Sequence, residues 1–577
     1  MICTVLTKQL LEKLHIQITI YNACLLFGIF SSIILLIYAY KMGNLLDNIH
    51  LPIMIPLFIA FTPVFISKTN LGEYDYECFS ITLIFISIYY YQYALKFKSL
   101  FSTIISSLFF GILSWTWGGY IFVLASVSIH TVFLIVFGKF NFYNYINFSF
   151  WFIFSILIAA NLPSAYYKFI TKPENVILIF LFILIQFYSV LRVLFYILTP
   201  RTRNSLVLIF SILSFASFFV FFLSNQMNFE NRILRFISPF SKEKDLQINI
   251  QEHQPTAWSL FFVSCGPFLY LLPIGIIILL KEKNIEFSFF IILTSISFYT
   301  SIMMNRTLLV FAPFQAIVCA ISFDNLLSNI MKKKKNYLIL ILLFILCIFQ
   351  SNNCTHYASD VENYVHFQIE TPQGVELSDD HRELYQYIRH QGKNKPKIVS
   401  FWDIAYQMQA LSNCVTYNDG NTNNRTHMSN IEMIYSSNEN NAWKISRSLD
   451  ADYIVVTFGG ASNYENDDIM KFSLVLQNLP NFFQNISLSD YQNDDIFLVC
   501  PNMKPKMLKS MLVSFSYNNF KNFTFGNKTK PGYDTIRGCI VKYQASKMAR
   551  FTEKYTTANW LLRLYKVNPD PIWNRVY

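Results

Sequence analysis

Residues 73–98 read Glu73-Tyr74-Asp75-Tyr76-Glu77, then CFSITLIFISIYYYQYAL, then Lys96-Phe97-Lys98. Carboxylates stand at one end of an apolar run and ammonium groups at the other. About 20 apolar residues suffice to cross the hydrocarbon core of a bilayer. The stretch therefore predicts a membrane-spanning helix whose basic end is cytoplasmic. Further apolar runs begin near Gln17, Leu51, Leu100, Gly118, Ile146, Val176, Ser205, Trp258, Ile285, Thr307 and Tyr337, giving roughly twelve spans. Alternate loops carry Lys41, Lys96 with Lys98, Lys139, Arg201 with Arg203, Lys281 with Lys283, and Lys332–Lys335. All fall on one side, which the positive-inside rule makes cytoplasmic. The opposite side receives Glu73–Glu77, the loop before Trp258, the helix end near Arg306, and everything after residue 351.

Composition agrees with this division. Of 577 residues, 53% are hydrophobic and 14% charged, against about a quarter charged in soluble domains. The long apolar runs lie before residue 351, so residues 1–351 are expected to form a multispan α-helical membrane domain. Residues 352–577 are expected to form a mixed α/β domain. The net charge of +11 sits in short loops between spans, so it points to membrane orientation and not to nucleic acid. A transporter or channel would carry charges inside its spans, and these spans hold almost none. The first sixteen residues, with Lys8, Glu12 and Lys13, have no signal-peptide core.

In the C-terminal region, Lys397–Phe401, Tyr453–Phe458, Ile496–Cys500, Cys539–Tyr543 and Trp560–Val567 read as strands. Asp380 begins a helix with Glu383 in the capping-box position and Leu384 and Ile388 on one face. Ile469, Phe472, Leu476 and Leu479 recur at helical spacing, with Asp467 or Asp468 as the cap. Sequons occur at Asn353, Asn424, Asn485, Asn522 and Asn527. The last four are candidate N-glycosylation sites if the region faces an oxidising lumen. There Cys354, Cys414, Cys500 and Cys539 form two disulfides, in one of three pairings, or remain buried thiols.

Several polar clusters admit both a functional and a bland reading. Asp75 and Glu77 suit a hard divalent cation, or form a solvated loop end. Glu252, in Gln251-Glu252-His253-Gln254-Pro255, ends a long polar loop. Arg306, at a membrane boundary, snorkels or grips a phosphate with its fork of donors. Trp402 and Asp403 suit a small hydroxyl-bearing side chain, or are a buried aromatic and a helix cap. Asp468, Lys471 and Val475 share one helix face, which could equally be a solvated ion pair.

Taken in order along the chain, these segments resemble the catalytic subunit of oligosaccharyltransferase, a lipid-linked glycosyltransferase of the GT-C fold. Pro63 to Glu77 is similar to the segment ending in that family's Asp-Asn-Glu motif. Trp117-Gly118-Gly119-Tyr120 resembles its Trp-Gly-Gly-Tyr stretch. Glu252 to Trp258 resembles the end of its fifth external loop, and Asn305-Arg306 to Pro313 its arginine-bearing helix. Phe401-Trp402-Asp403-Ile404-Ala405 stands where the family has Trp-Trp-Asp-Tyr-Gly. Asp419–Thr422, Asp468–Lys471 and Tyr555–Val567 follow in order.

The resemblance implies transfer of a preassembled oligosaccharide from dolichyl diphosphate to the asparagine of Asn-X-Ser/Thr sequons in nascent polypeptides. It implies an endoplasmic-reticulum membrane enzyme with its C-terminal domain in the lumen, and partners among other oligosaccharyltransferase subunits and the translocon. Asp75, Glu77 and Glu252 would be catalytic and would hold Mn²⁺ or Mg²⁺. Arg306 would bind the donor diphosphate, and Trp402, Asp403, Asp468, Lys471 and Val475 the acceptor sequon. The family carries thirteen spans. The expectation here is that its first span and following loop, with an essential Asp, are missing. That reads either as a truncated product or as a noncatalytic relative acting in acceptor binding or assembly. Ala405 in place of Gly would be harmful if that turn needs φ > 0.

Overall fold

The computed structural model describes residues 17–161 except 47, 173–197, 254–281, 285–333, 337–359, 367–371, 374–392, 395–418, 425–472, 491, 503–524, 530–541 and 548–569, with a few before 17. The chain divides into two compact units, Met1–Val361 and Glu362–Tyr577. The division lies beyond residue 351 because the last apolar helix continues to Ser359.

In the first unit, apolar runs form helices α1 (Ile20–Leu45), α2 (Leu51–Ala60), α3 (Pro63–Ser67), α4 (Tyr76–Phe97), α5 (Leu100–Thr116), α6 (Tyr120–Val136), α7 (Phe142–Ala160) and α8 (Pro173–Ile197). After the segment outside the described residues come α9 (Trp258–Cys265), α10 (Leu272–Lys281), α11 (Ile285–Met303), α12 (Leu308–Lys333) and α13 (Tyr337–Ser359). Six of the described helices are long and apolar enough to cross a membrane, and α9 with α10 makes a seventh, bent span. Four shorter apolar helices accompany them. The run expected near Ser205 lies outside the described residues.

Charged and polar contacts sort the helix ends onto two faces. Lys96 donates to the Leu45 carbonyl, Tyr143 to Ala94 and Arg192 to Phe140, gathering the basic loops. At the other ends, Asn175 donates to the Tyr120 hydroxyl, and Asn305 N–H to the Gln254 carbonyl.

Two expected spans are broken, and the same side chain mends both. The run from Leu51 gives a ten-residue helix, about 15 Å long. It stops because Pro63 holds Thr62 extended, at φ −102° and ψ 117°. The run from Trp258 turns by 102° at Gly266, whose φ is +76°. Backbone groups freed inside a membrane must find internal partners. Gln350 of α13 supplies them: Oε1 accepts the Phe268 N–H at 3.1 Å, while Nε2 donates to Cys265 O and Phe61 O. A Cβ on residue 266 would lie 2.2 Å from that amide and displace it from these bonds, while the φ of +76° itself favours glycine.

The second unit is mixed α/β. It contains β1 (Phe367–Thr371), β2 (Gly374–Ser378), α14 (Asp380–His390), β3 (Lys397–Val399), α15 (Ala405–Ser412), β4 (Val415–Thr416), α16 (Arg425–Ser436), α17 (Glu439–Ser448) and β5 (Tyr453–Thr457). It continues with α18 (Pro505–Leu508), α19 (Met511–Tyr517), β6 (Tyr533–Asp534), β7 (Cys539–Ile540), β8 (Phe551–Thr556) and β9 (Leu562–Val567). The main sheet has order β4-β3-β5-β9-β8, with β3 parallel to β4 and β5, and β9 antiparallel to β5 and β8. Every residue of β5 is buried. Arg563, buried in β9, donates to the carbonyls of Phe515, Ser516 and Asn518 and to Glu553.

Some local expectations are corrected. Glu383 does not close a capping box: its carboxylate accepts Tyr555 O–H and Ala558 N–H, tying α14 to the β8–β9 turn. Cys354 and Cys414 are free buried thiols, whereas Cys539 is disulfide-bonded. Asn353 lies inside α13. Asn522 is exposed, at the end of a short 3₁₀ turn, and Asn424, Asn485 and Asn527 lie outside the described residues. The strand expected at Ile496–Cys500 also lies outside them.

Gln350→Leu keeps roughly the side-chain volume and removes the three hydrogen bonds that Gln350 makes at the breaks, leaving the Phe61 carbonyl only the weaker Cys354 thiol donor. Each orphaned buried group costs about 1–3 kcal/mol. The variant is expected to melt at a clearly lower temperature than the wild type in detergent, while Gln350→Glu at low pH recovers part of the loss.

Candidate functional site

At the non-basic face of the first unit, α4 begins with Asp75 as its extended N-cap residue, followed by Tyr76 and Glu77. Residues 304–308 break between α11 and α12 as a 3₁₀ turn, Asn305–Thr307, because Met304 is extended. The turn is pinned by Asn305 N–H to Gln254 O at 2.9 Å and by Thr256 N–H to Ile302 O at 3.1 Å. This brings Arg306 against a residue 229 positions earlier: its Nε donates to Glu77 Oε1 at 2.6 Å. Arg306 Nη2 lies 2.6 Å from the same oxygen and donates to the Tyr76 hydroxyl at 2.6 Å. Lys68 Nζ stands 3.8 Å from Glu77 Oε2. Glu77 is 3% exposed, so its charge is tolerated only because two cations face it.

The chemistry of Asp75 and Glu77 fits a hard divalent cation. Asp75 is half-buried with no described side-chain partner. Glu77 would have to exchange Arg306 for the ion. Among the described residues no group of three metal-ligating side chains occurs, and Glu252 lies outside them. Sequence reading assigned Glu77 and Arg306 separate tasks; their direct pairing, and the parts of Tyr76 and Lys68, were not foreseen.

The second unit gathers the other candidates for a topological reason. Parallel neighbours β3 and β5 deliver their following segments to the same sheet edge. After β3 come Phe401, the 3₁₀ turn Trp402–Ile404 and α15. After β5 comes a loop leading to Asp467, Asp468 and Lys471. Lys471 Nζ forms an ion pair with Asp403 Oδ2 and lies 3.6 Å from Asp468 Oδ1. Asp468 Oδ2 accepts the Thr457 N–H at 2.8 Å. Asp467 is the cap: its Oδ1 accepts the Met470 N–H, and Arg537 holds both its oxygens.

The Asp468–Lys471 pair is therefore buried and structural, not solvated. Trp402 is half-buried, its ring 5.5 Å from Phe401. Asp403 does not cap α15; it serves Lys471 and remains 38% exposed. Ala405 has φ −61°, so the turn demands no glycine. Val475 lies outside the described residues.

Burial pushes the Asp468 carboxyl up to about 7, against the pull of Lys471 and the Thr457 N–H. Burial would lower the Lys471 ammonium, yet Asp468 and Asp403 hold it above the ordinary lysine value. Behind them lies Glu432 of α16, fully buried, with neither oxygen hydrogen-bonded among the described residues. Burial, and then the Asp468 charge, drive its carboxyl well above the usual range. The sequence carried a signal for it. Met428, Ile431, Glu432 and Tyr435 recur at helical spacing, so a carboxylate sits in an apolar stripe.

A statistical model of a protein family, described as oligosaccharyl transferase STT3, N-terminal, matches residues 1–321. The Dictyostelium discoideum dolichyl-diphosphooligosaccharide–protein glycosyltransferase subunit STT3 is 26% identical over 581 residues, covering 96% of this chain and 81% of that protein. The rice subunit STT3B is 26% identical over 614 residues, covering 99% and 85%. Among solved structures, the apo oligosaccharyltransferase of Archaeoglobus fulgidus superposes with a TM-score of 0.64 at 11% identity, covering 93% of this chain and 69% of that one. The same organism's AglB, in complex with an inhibitory peptide and a dolichol-phosphate, gives 0.65 at 11%, covering 96% and 70%. At that identity the structures establish a shared fold.

Glu432 keeps a proton in the folded state that the unfolded chain releases above about pH 4.3. The folded state then binds more protons, so stability falls as pH rises from there toward the folded value. Glu432→Gln removes this slope. Thermal unfolding is expected to show the variant close to wild type near pH 4 and more stable at pH 8, by up to about 1.4 kcal/mol per pH unit crossed.

Proposed function

The chain belongs to the oligosaccharyl transferase STT3 family, and from that premise we propose the assignment of its parts. It is a multispan membrane glycosyltransferase subunit of protein N-glycosylation. In our reading it works in the endoplasmic-reticulum membrane, with its second unit in the lumen. The relatives are called subunits, which supports partnership with further subunits; the translocon is a further proposed partner. The two units act as a donor-holding membrane part and an acceptor-reading part.

The observation that carries the reading is the meeting of Arg306 with Glu77 at the mouth of α4. A permanent cation with several fixed N–H donors, at the depth of a lipid headgroup, is suited to the diphosphate of dolichyl-diphosphate oligosaccharide. Asp75, Glu77 and Glu252 would hold Mn²⁺ or Mg²⁺, which when bound supplies Lewis-acid stabilisation of the leaving diphosphate.

The remaining work falls to side chains of this chain. The acceptor asparagine's nitrogen bonds to the sugar's anomeric carbon, the carbon–oxygen bond to diphosphate breaks, and the electron pair leaves with the diphosphate. Arg306 takes up the negative charge. One amide proton passes to the carboxylate hydrogen-bonded to the NH₂ and from there to water. Because an amide is a poor nucleophile, a carboxylate hydrogen-bonded to its NH₂ must orient it; we assign this to Glu252.

In the second unit, Trp402 offers an apolar wall and Asp403 an acceptor for the hydroxyl of the sequon Ser or Thr. Lys471 holds Asp403 in place from behind and is itself anchored by Asp468. Val475 would complete this wall.

The test separates the two sites by kinetics on the full chain in nanodiscs, with a lipid-linked oligosaccharide and a fluorescent sequon peptide. Arg306→Ala is expected to raise the donor KM and lower kcat at least a hundredfold, leaving the acceptor KM unchanged. Lys471→Ala is expected to raise the acceptor KM about tenfold and spare the donor KM. Variants that swap these effects, or touch neither constant, would contradict the assignment.

A further inference from the structure

Where the family motif reads Asp-Asn-Glu, this chain has Asp75-Tyr76-Glu77. Tyr76 is 47% exposed, in the first turn of α4, and its ring lies 5.9 Å from the Arg306 guanidinium. Its hydroxyl accepts from Arg306 Nη2 at 2.6 Å. A phenol has one donor and acceptor capacity besides. Among the described residues the Tyr76 hydroxyl accepts this one bond and donates none. A hydroxyl that accepts a charge-assisted bond is polarised and becomes a better donor in turn. Arg306 and Tyr76 thus form a short relay, guanidinium N–H to phenol oxygen and phenol O–H outward, ending in an exposed donor beside the arginine. The neighbouring charges are Glu77, which Arg306 and Lys68 face, and Asp75. An exposed O–H next to a guanidinium, with the N-terminal end of a 22-residue helix behind it, suits an anionic oxygen.

We propose that Tyr76 is a second diphosphate-binding residue, its hydroxyl donating to a phosphate oxygen of the lipid-linked donor while accepting from Arg306. The inference rests on the reading of Arg306 as the diphosphate-holding residue and adds to it. An asparagine at this position is shorter and would not extend the arginine's reach in this way. Tyr76 thereby favours donors carrying a diphosphate over the same lipid without one.

The experiment measures binding of a short-chain dolichyl diphosphate to the full chain in nanodiscs, in Mn²⁺ and again in EDTA. The wild type is compared with Tyr76→Phe and Arg306→Ala. Phenylalanine keeps the ring and its exposure, so folding is retained, and only the hydroxyl is lost. One bond to a charged oxygen corresponds to about a tenfold rise in Kd. That rise is expected in both Mn²⁺ and EDTA, with the sequon-peptide KM unchanged. A loss confined to Mn²⁺ would mean that the hydroxyl acts through a cation held by Glu77, and would overturn direct contact. Weakening by Arg306→Ala with none by Tyr76→Phe would overturn the role of Tyr76 and leave that of Arg306 standing. If Arg306→Ala also leaves binding unchanged, the reading beneath the inference fails first.

Discussion

The pairing of Arg306 with Glu77 fixes the geometry of the proposed donor site. A buried carboxylate is untenable without a partner, and a 3₁₀ turn in the membrane region needs something to hold it. One contact answers both demands. It joins the first turn of α4 to the α11–α12 junction, which the Gln254–Asn305 bond also holds. The residues that would bind donor and cation are thus mutually committed before either ligand arrives. In the proposed reading each ligand would compete with the pair, so that a diphosphate taking Arg306 would free Glu77 for a cation, and the reverse. Such reciprocity is a coupling free energy between two ligands.

The second unit is built on a different constraint. Parallel strands direct their exits to one edge, so β3 and β5 bring Trp402, Asp403 and Lys471 together although nearly seventy positions separate them. Buried charge then makes the arrangement specific. Lys471 has two carboxylates to satisfy it, and Asp468 anchors itself to the β5 backbone through Thr457. Glu432 has no such partner among the described residues and survives by staying neutral.

Much of this was legible in the sequence, and the reasons differ by element. The apolar helices of the first unit were readable because length and hydropathy are local properties. Phe401-Trp402-Asp403 was readable as a strand followed by a turn. The breaks at Thr62 and Gly266 were not, since the partner that permits them, Gln350, comes far later in the sequence, in an otherwise apolar helix. The capping box at Glu383 failed for the same reason: a distant turn at Ala558 competed for the carboxylate and won. The roles of Tyr76 and Lys68 were invisible because they depend on where Arg306 lands. The harm expected from Ala405 disappeared once its backbone proved right-handed helical.

The central claim is that this chain moves an oligosaccharide onto sequons using Arg306 and the carboxylates near it. Its most direct measurement is glycosylation of a one-sequon secretory reporter in cells depleted of their own catalytic subunit and supplied with this chain. The account predicts a glycosylated reporter, and an unmodified one when Arg306→Ala or Glu252→Gln is expressed at an equal level. A stably inserted wild-type chain that leaves the reporter unmodified, or variants that glycosylate it as well as wild type does, would contradict it.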